Sequence, residues 1–209
     1  MSRRSLAWGI PAIVYAVFFA WYTNLAGPLD ADEIAHYLHR FESAELAPER
    51  IAKLRRFMEE DTGDDFYMVN VLDLRAEPER VGEVQPGETS EQVMDRYMAH
   101  MYPELFRRAC HPVIYGPAVA PALDLAGIEG AEEWTAAAMF RYRSRRDMLD
   151  IATNPAFRAN HRYKIAALDK TIAYPIEPLI NLGEPRFLVA LILLVIALGS
   201  KLAIVRKSA

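Results

Sequence analysis

The residues best placed by type and spacing to do chemistry are Asn70, Tyr97, His100, Tyr142 and His161. Asn70 is the only amide in an apolar run, FYMVNVLDL over 66–74. A buried amide must find hydrogen-bond partners or cost on the order of 1–3 kcal/mol. It either ties its segment to a neighbouring element or offers its dipole to a ligand in an apolar pocket. Tyr97 and His100 are three residues apart, so on a helix they share a face. They line a pocket or pack at a subunit seam. Tyr142 closes an alternating apolar set that begins at Trp134. His161 follows an Asn154-Pro155 break, and imidazole transfers protons near neutral pH. Its structural alternative is a helix-end histidine paired with an acidic neighbour.

Other chemistries fit the chain poorly. His36 and His39 share a helical face, but a catalytic zinc site takes a third ligand and the HExxH context is absent. The single cysteine, Cys110, excludes an internal disulfide and a cysteine metal cluster, and it reads as a small buried hydrophobe. There is no Gly-rich phosphate loop, no serine nucleophile elbow and no CxxCH haem motif. The expectation is therefore a domain without a cofactor or metal. Arg141, Arg143, Arg145 and Arg146 cluster at a strand–helix turn, where charges are expected to be solvated, with Asp147 and Asp150 close enough to pair. Residues 27–186 hold 28 acidic against 19 basic residues, a net charge of −9. Such a domain lacks the basic footprint of a nucleic-acid binder.

These side chains need elements to position them. Asp30 or Asp32 caps a helix with Ile34, Tyr37, Leu38 and Phe41 at helical spacing. Pro48 opens a second helix. Residues 66–74 are short and rich in aromatic and β-branched types, hence a strand. Thr89 or Ser90 caps a helix carrying Val93, Tyr97, Met101 and Leu105. Strands follow at 111–119 and 134–142. Ser144 caps a helix that breaks near Pro155 and resumes through Leu168, and a last strand covers 171–176. Two long loops, 75–89 and 116–130, interrupt the order. The order is two leading helices and then β-α-β-β-α-β, a split βαβ, ferredoxin-like α+β arrangement. The first and third strands are central, both helices lie on one face, and the other face needs a cover. The leading helices or the sheet of a second copy can supply it.

Both ends are apolar. Residues 6–26 contain no charge, and residues 187–205 are interrupted only by Lys201. A helix crossing a bilayer core needs about 20 apolar residues. The expected domains are a transmembrane helix at 1–26, an exterior domain at 27–186 with its core at 66–178, and a second transmembrane helix with a basic tail at 187–209. Arg3, Arg4, Lys201, Arg206 and Lys207 lie on one side of these spans. The positive-inside rule then puts both termini in the cytoplasm and the domain in the periplasm of a bacterial inner membrane. A cleaved signal peptide at 1–26 is the alternative, although its apolar core is usually about 7–15 residues long.

The strand YMVNVLDL, Tyr97, and Val113-Ile114-Tyr115-Gly116 resemble the first half of the small dimeric α+β barrel proteins. So does WTAAAMFRYRSRRDMLDIATNPAFRANHRYKIAALDKTIAYPIEP from Trp134, with its Tyr-Arg-Ser turn, Asn-Pro, Phe157 and His161-Arg162. The chain resembles the uncharacterised branch of that superfamily, a domain of unknown function, over residues 66–178. The resemblance implies ferredoxin-like subunits that pair into a barrel, hence a homodimer. Superfamily members include cofactor-independent monooxygenases, haem-degrading enzymes and isomerases. Some of the monooxygenases point a first-strand asparagine at the substrate, a place similar to that of Asn70. Two functions follow. One is a dimerising module that binds, senses or assembles at the lipid bilayer, with other membrane proteins as possible partners. The other is a cofactor-independent enzyme, of monooxygenase or isomerase type, acting on a small apolar molecule. Reporter fusions after Ala209 and within residues 79–88 test the sidedness. The first should report cytoplasm and the second periplasm, and a cytoplasmic loop fusion refutes the orientation.

Overall fold

The computed structural model describes residues 3–206; Met1, Ser2 and the tail residues Lys207, Ser208 and Ala209 lie outside the described residues. The elements are α1 (Arg3–Tyr22), α2 (Ala31–Glu42), α3 (Pro48–Glu59), β1 (Phe66–Leu74), α4 (Ser90–Arg107), β2 (His111–Pro117), β3 (Ala136–Tyr142), α5 (Arg145–Thr153), α6 (Pro155–Ala167), β4 (Leu168–Ile176) and α7 (Pro185–Arg206). They form two compact units, Ala26–Glu177 in one and Met1–Leu25 with Pro178–Ala209 in the other.

The second unit consists of α1 packed on α7. Both contain windows long and apolar enough to cross a membrane, Ser5–Tyr22 and Pro185–Ile204. Their side chains are largely exposed.

In the larger unit local chemistry sets the helix starts. Asp30 and Thr89 each accept from the backbone N–H three residues on, and Glu33 and Gln92 bond back to the cap, making two capping boxes. Ser144 Oγ accepts from the Asp147 amide and opens α5. Asn154 ends α5 and caps α6 through the Ala156 amide, with Pro155 as the first helical residue. The break between the two helices is therefore a capping event.

The four strands pair antiparallel in the order β2-β3-β1-β4, the ferredoxin-like order with β1 and β3 central. Two strands are shorter than their sequence suggests. β2 stops at Pro117, and β3 begins at Ala136, because the Trp134 indole N–H donates to Ala131 O at 2.8 Å and holds that residue in the preceding loop. β4 starts earlier, at Leu168, across a bulge at Asp73/Leu74.

Phe66, Met68, Asn70, Leu72, Ala138, Phe140 and Tyr142 share the sheet face that looks toward α4, α5 and α6. The leading helices pack on that same side. Leu29, Tyr37, Leu38, Phe41 and Met58 cluster with Leu149 of α5. They leave the opposite sheet face open, where Ile114, Ile172, Tyr174 and Ile176 are exposed beside Val69, Val71 and Met139.

The arginine turn departs from expectation, because Arg141 and Arg145 are buried, Arg143 and Arg146 are half-buried, and all four are paired. Arg141 is fully buried; its Nε donates to Asp65 Oδ2 at 2.8 Å and its Nη1 to Ala109 O at 2.9 Å. Arg143 grips Asp147 with two bonds of 2.8 and 2.7 Å. Arg145 reaches Glu177 at 2.8 Å and Phe57 O, and Arg146 holds Glu33. Buried charges require such partners. Asp150 pairs with none of the four and accepts instead from the Tyr37 hydroxyl at 2.7 Å.

An open apolar sheet face of this kind calls for a second surface. The full chain in nanodiscs should weigh as a dimer by native mass spectrometry. Tyr174→Glu combined with Ile172→Glu should give a folded monomer, whereas a monomeric wild type would show that this face stays uncovered.

Candidate functional site

Between the sheet and its helices lies a cavity of about 570 Å³, within the size range of small-molecule sites. Its floor is Met68, Asn70 and Leu72 of β1, Ala138, Phe140 and Tyr142 of β3, and Ala173 of β4. Two alanines make the space: Asn70 pairs with Ala138 on one side and with Ala173 on the other. The amide thus stands in a notch with no bulky neighbour on its own rung. One wall is α4, which presents Met94, Tyr97, Met98, Met101 and Leu105 at helical spacing. Another is α6, with Phe157, Arg158, His161 and Lys164. The leading helices and their connection close the cavity with Phe41, Leu46, Arg50 and Leu54, and α5 adds Met148 and Ala152. Arg50, Arg158 and Ala173 are exposed, and they mark where the cavity meets solvent.

Asn70 is buried, and both ends of its amide are engaged. Lys164 Nζ donates to Oδ1 at 3.2 Å, and Nδ2 donates to Met68 O at 3.1 Å. An ammonium only donates, so the amide oxygen must face it and the amide orientation is fixed. Burial holds the Lys164 pKa below the ordinary lysine value. His161 packs on Phe157 with ring centroids 5.4 Å apart and lies 6.0 Å from Tyr97, edge to face. Burial, and then the nearby charges of Lys164 and Arg50, push its pKa down to about 4, so its ring is neutral at neutral pH. Burial raises the Tyr97 and Tyr142 hydroxyl pKa values, so both stay protonated. The Tyr97 hydroxyl lacks a hydrogen-bond partner among the described residues.

Four of the five residues singled out by sequence, Asn70, Tyr97, Tyr142 and His161, therefore line one cavity. His100 does not. At about 100° per residue it is turned roughly 110° from the centre of the α4 face carrying Tyr97 and Met101, and its Nε2 is buried without a partner. Lys164, Arg50 and Arg158 were missed. The signal for Lys164 was present, since Phe157, His161 and Lys164 fall at i, i+4 and i+7 on one helical stripe. Cys110 is buried outside the cavity, and burial pushes its thiol up to about 12, which makes it inert. His36 packs edge-on against Tyr37. Among the described residues, no group of three or more histidine, cysteine, aspartate or glutamate side chains is placed to hold a metal ion.

The topology defines a ferredoxin-like α+β domain, with a partly open cavity between its sheet and helices. No family model matches the chain, and no curated protein matches it. Solved structures do match. A protein of unknown function from Rhodopseudomonas palustris is 21% identical, with a TM-score of 0.51, over 65% of this chain and 96% of its own. Its methylated form gives 19%, 0.53, 66% and 96%. SnoaB, a cofactor-independent oxygenase from Streptomyces nogalater, is 11% identical with a TM-score of 0.36, over 58% of this chain and 99% of its own. The likeness to the first protein is one of fold, and it agrees with the resemblance to uncharacterised ferredoxin-like proteins read from residues 66–178.

His161 gives a direct check on the site. Its imidazole NMR signals in the full chain should titrate near pH 4, and a midpoint near the ordinary 6.5 would place the ring in water. The unfolded chain takes up this proton first, so His161 makes stability rise with pH between about 4 and 6.5.

Proposed function

We propose that this chain is a membrane-anchored, homodimeric binding protein for a small apolar molecule. The observation that carries the reading is the cavity over Asn70: large, mostly apolar, and furnished at one end with a few convergent polar groups. That combination is the usual form of a ligand site. The open sheet face supports the dimer. The two apolar helices and the Lys/Arg asymmetry at their ends support anchoring, with both termini in the cytoplasm and the domain in the periplasm.

A cofactor-independent enzyme is the second reading, and one observation favours it. His161 keeps a deprotonated ring at the cavity wall throughout the neutral range, a weak base placed beside a bound molecule. Catalysed deuterium uptake at an acidic C–H of a bound probe would reveal proton transfer, and a probe recovered without deuterium counts against it.

Binding is tested with the full chain in nanodiscs and a neutral apolar probe, naphthalenemethanol, by equilibrium dialysis against empty nanodiscs. One saturable site per chain is expected. Ala138→Phe fills the notch beside Asn70 and should lower affinity by about tenfold or more while the circular dichroism spectrum is retained. Equal binding by Ala138→Phe and wild type would place the probe elsewhere.

A further inference from the structure

The charged groups of the cavity share one sign: Arg50, Arg158 and Lys164 line it beside the neutral His161, and no aspartate or glutamate does. Lys164 is half-buried, and its ammonium has a single neutral acceptor, Asn70 Oδ1, for three donors. Arg50 and Arg158 form no ion pair with a described residue. The arginine turn behaves differently. Arg141, Arg143, Arg145 and Arg146 each hold a carboxylate, and residues 27–186 have carboxylates in excess. A domain rich in acidic groups has thus kept every one of them out of the space where Lys164 lies.

A half-buried cation without a counter-ion is costly unless a partner arrives. Burial already disfavours the charged form of Lys164, and an incoming anion would reverse that. Beyond this end the lining is methionine, leucine, alanine and aromatic side chains, which suit an apolar body.

We infer that the ligand of this cavity is an apolar molecule bearing one carboxylate. The carboxylate is held by Lys164 beside Asn70 and His161, with Arg50 at the rim drawing it in. This inference rests on the binding reading above and adds the charge of the ligand to it.

The test uses three probes of the same bulk: naphthoate, naphthalenemethanol and naphthylmethylammonium. Each is dialysed against the full chain in nanodiscs of zwitterionic phosphatidylcholine, with empty nanodiscs as the blank. Naphthoate should bind about tenfold tighter than the alcohol, the size of a charge-assisted hydrogen bond, and the ammonium probe weakest. Lys164→Met should bring the naphthoate-to-alcohol affinity ratio to about one, and Lys164→Arg should keep the preference. Equal binding of acid and alcohol by wild type, or an undiminished preference in Lys164→Met, overturns the inference and leaves the cavity reading standing. Failure of all three probes to bind overturns both. If Lys164→Met loses the alcohol as well, Arg50→Gln at the exposed rim decides. A selective loss of naphthoate there supports the inference, and an unchanged preference overturns it.

Discussion

The register of β1 against its two neighbours decides whether this domain has a cavity at all. Asn70 sits between Ala138 and Ala173, the smallest side chains available on that sheet face. The rungs above and below carry Met68, Phe140 and Leu72, which hold α4 and α6 off the sheet. A slip of one residue would turn Asn70 to the open face and bring Val69 or Val71 inward. The bulge at Asp73/Leu74 lies beyond this rung, so the ladder is regular where the site needs it to be.

The leading helices complete what the sheet begins. A four-stranded sheet with α4, α5 and α6 on one side leaves an opening beside α5, and α2 and α3 fill it with Phe41, Leu46 and Leu54. They are fastened by polar ties spread along the contact: Tyr37 to Asp150, Arg146 to Glu33, Arg40 to Thr153 O, and Arg145 to Phe57 O. Arg145 and Arg146 of the arginine turn thus clasp the leading helices to the core, while Arg141 and Arg143 brace the turn itself. All four guanidinium groups hold carboxylates, which separates them chemically from Arg50, Arg158 and Lys164.

Much of the fold was legible because it rests on short-range chemistry. The caps at Asp30, Thr89, Ser144 and Asn154 and the alternation in FYMVNVLDL are local signals, and together they give the split βαβ order. Where the leading helices pack was not legible. Their apolar stripes state that they need burial but not against which face. The burial of Arg141 was hidden for the same reason, since its partners Asp65 and Ala109 are brought close only by the tertiary fold. Asn70, Tyr97 and His161 were visible as polar or aromatic exceptions on apolar faces. Lys164 lies on the same stripe as Phe157 and His161 but is passed over, because a lysine on a helix is ordinarily read as solvated. The role of Ala138 and Ala173 is invisible in any one strand, since it exists only once the three strands are in register.

Five methionines, Met68, Met94, Met98, Met101 and Met148, form much of the cavity lining. An unbranched thioether chain has three rotatable bonds and a polarizable sulfur, so it repacks at low cost around contours that branched side chains would reject. The ligand proposed for this cavity would therefore be graded by bulk and polarity more than by outline. Recognition of that kind tolerates a homologous series, in which rings are replaced by chains or a substituent moves along the scaffold.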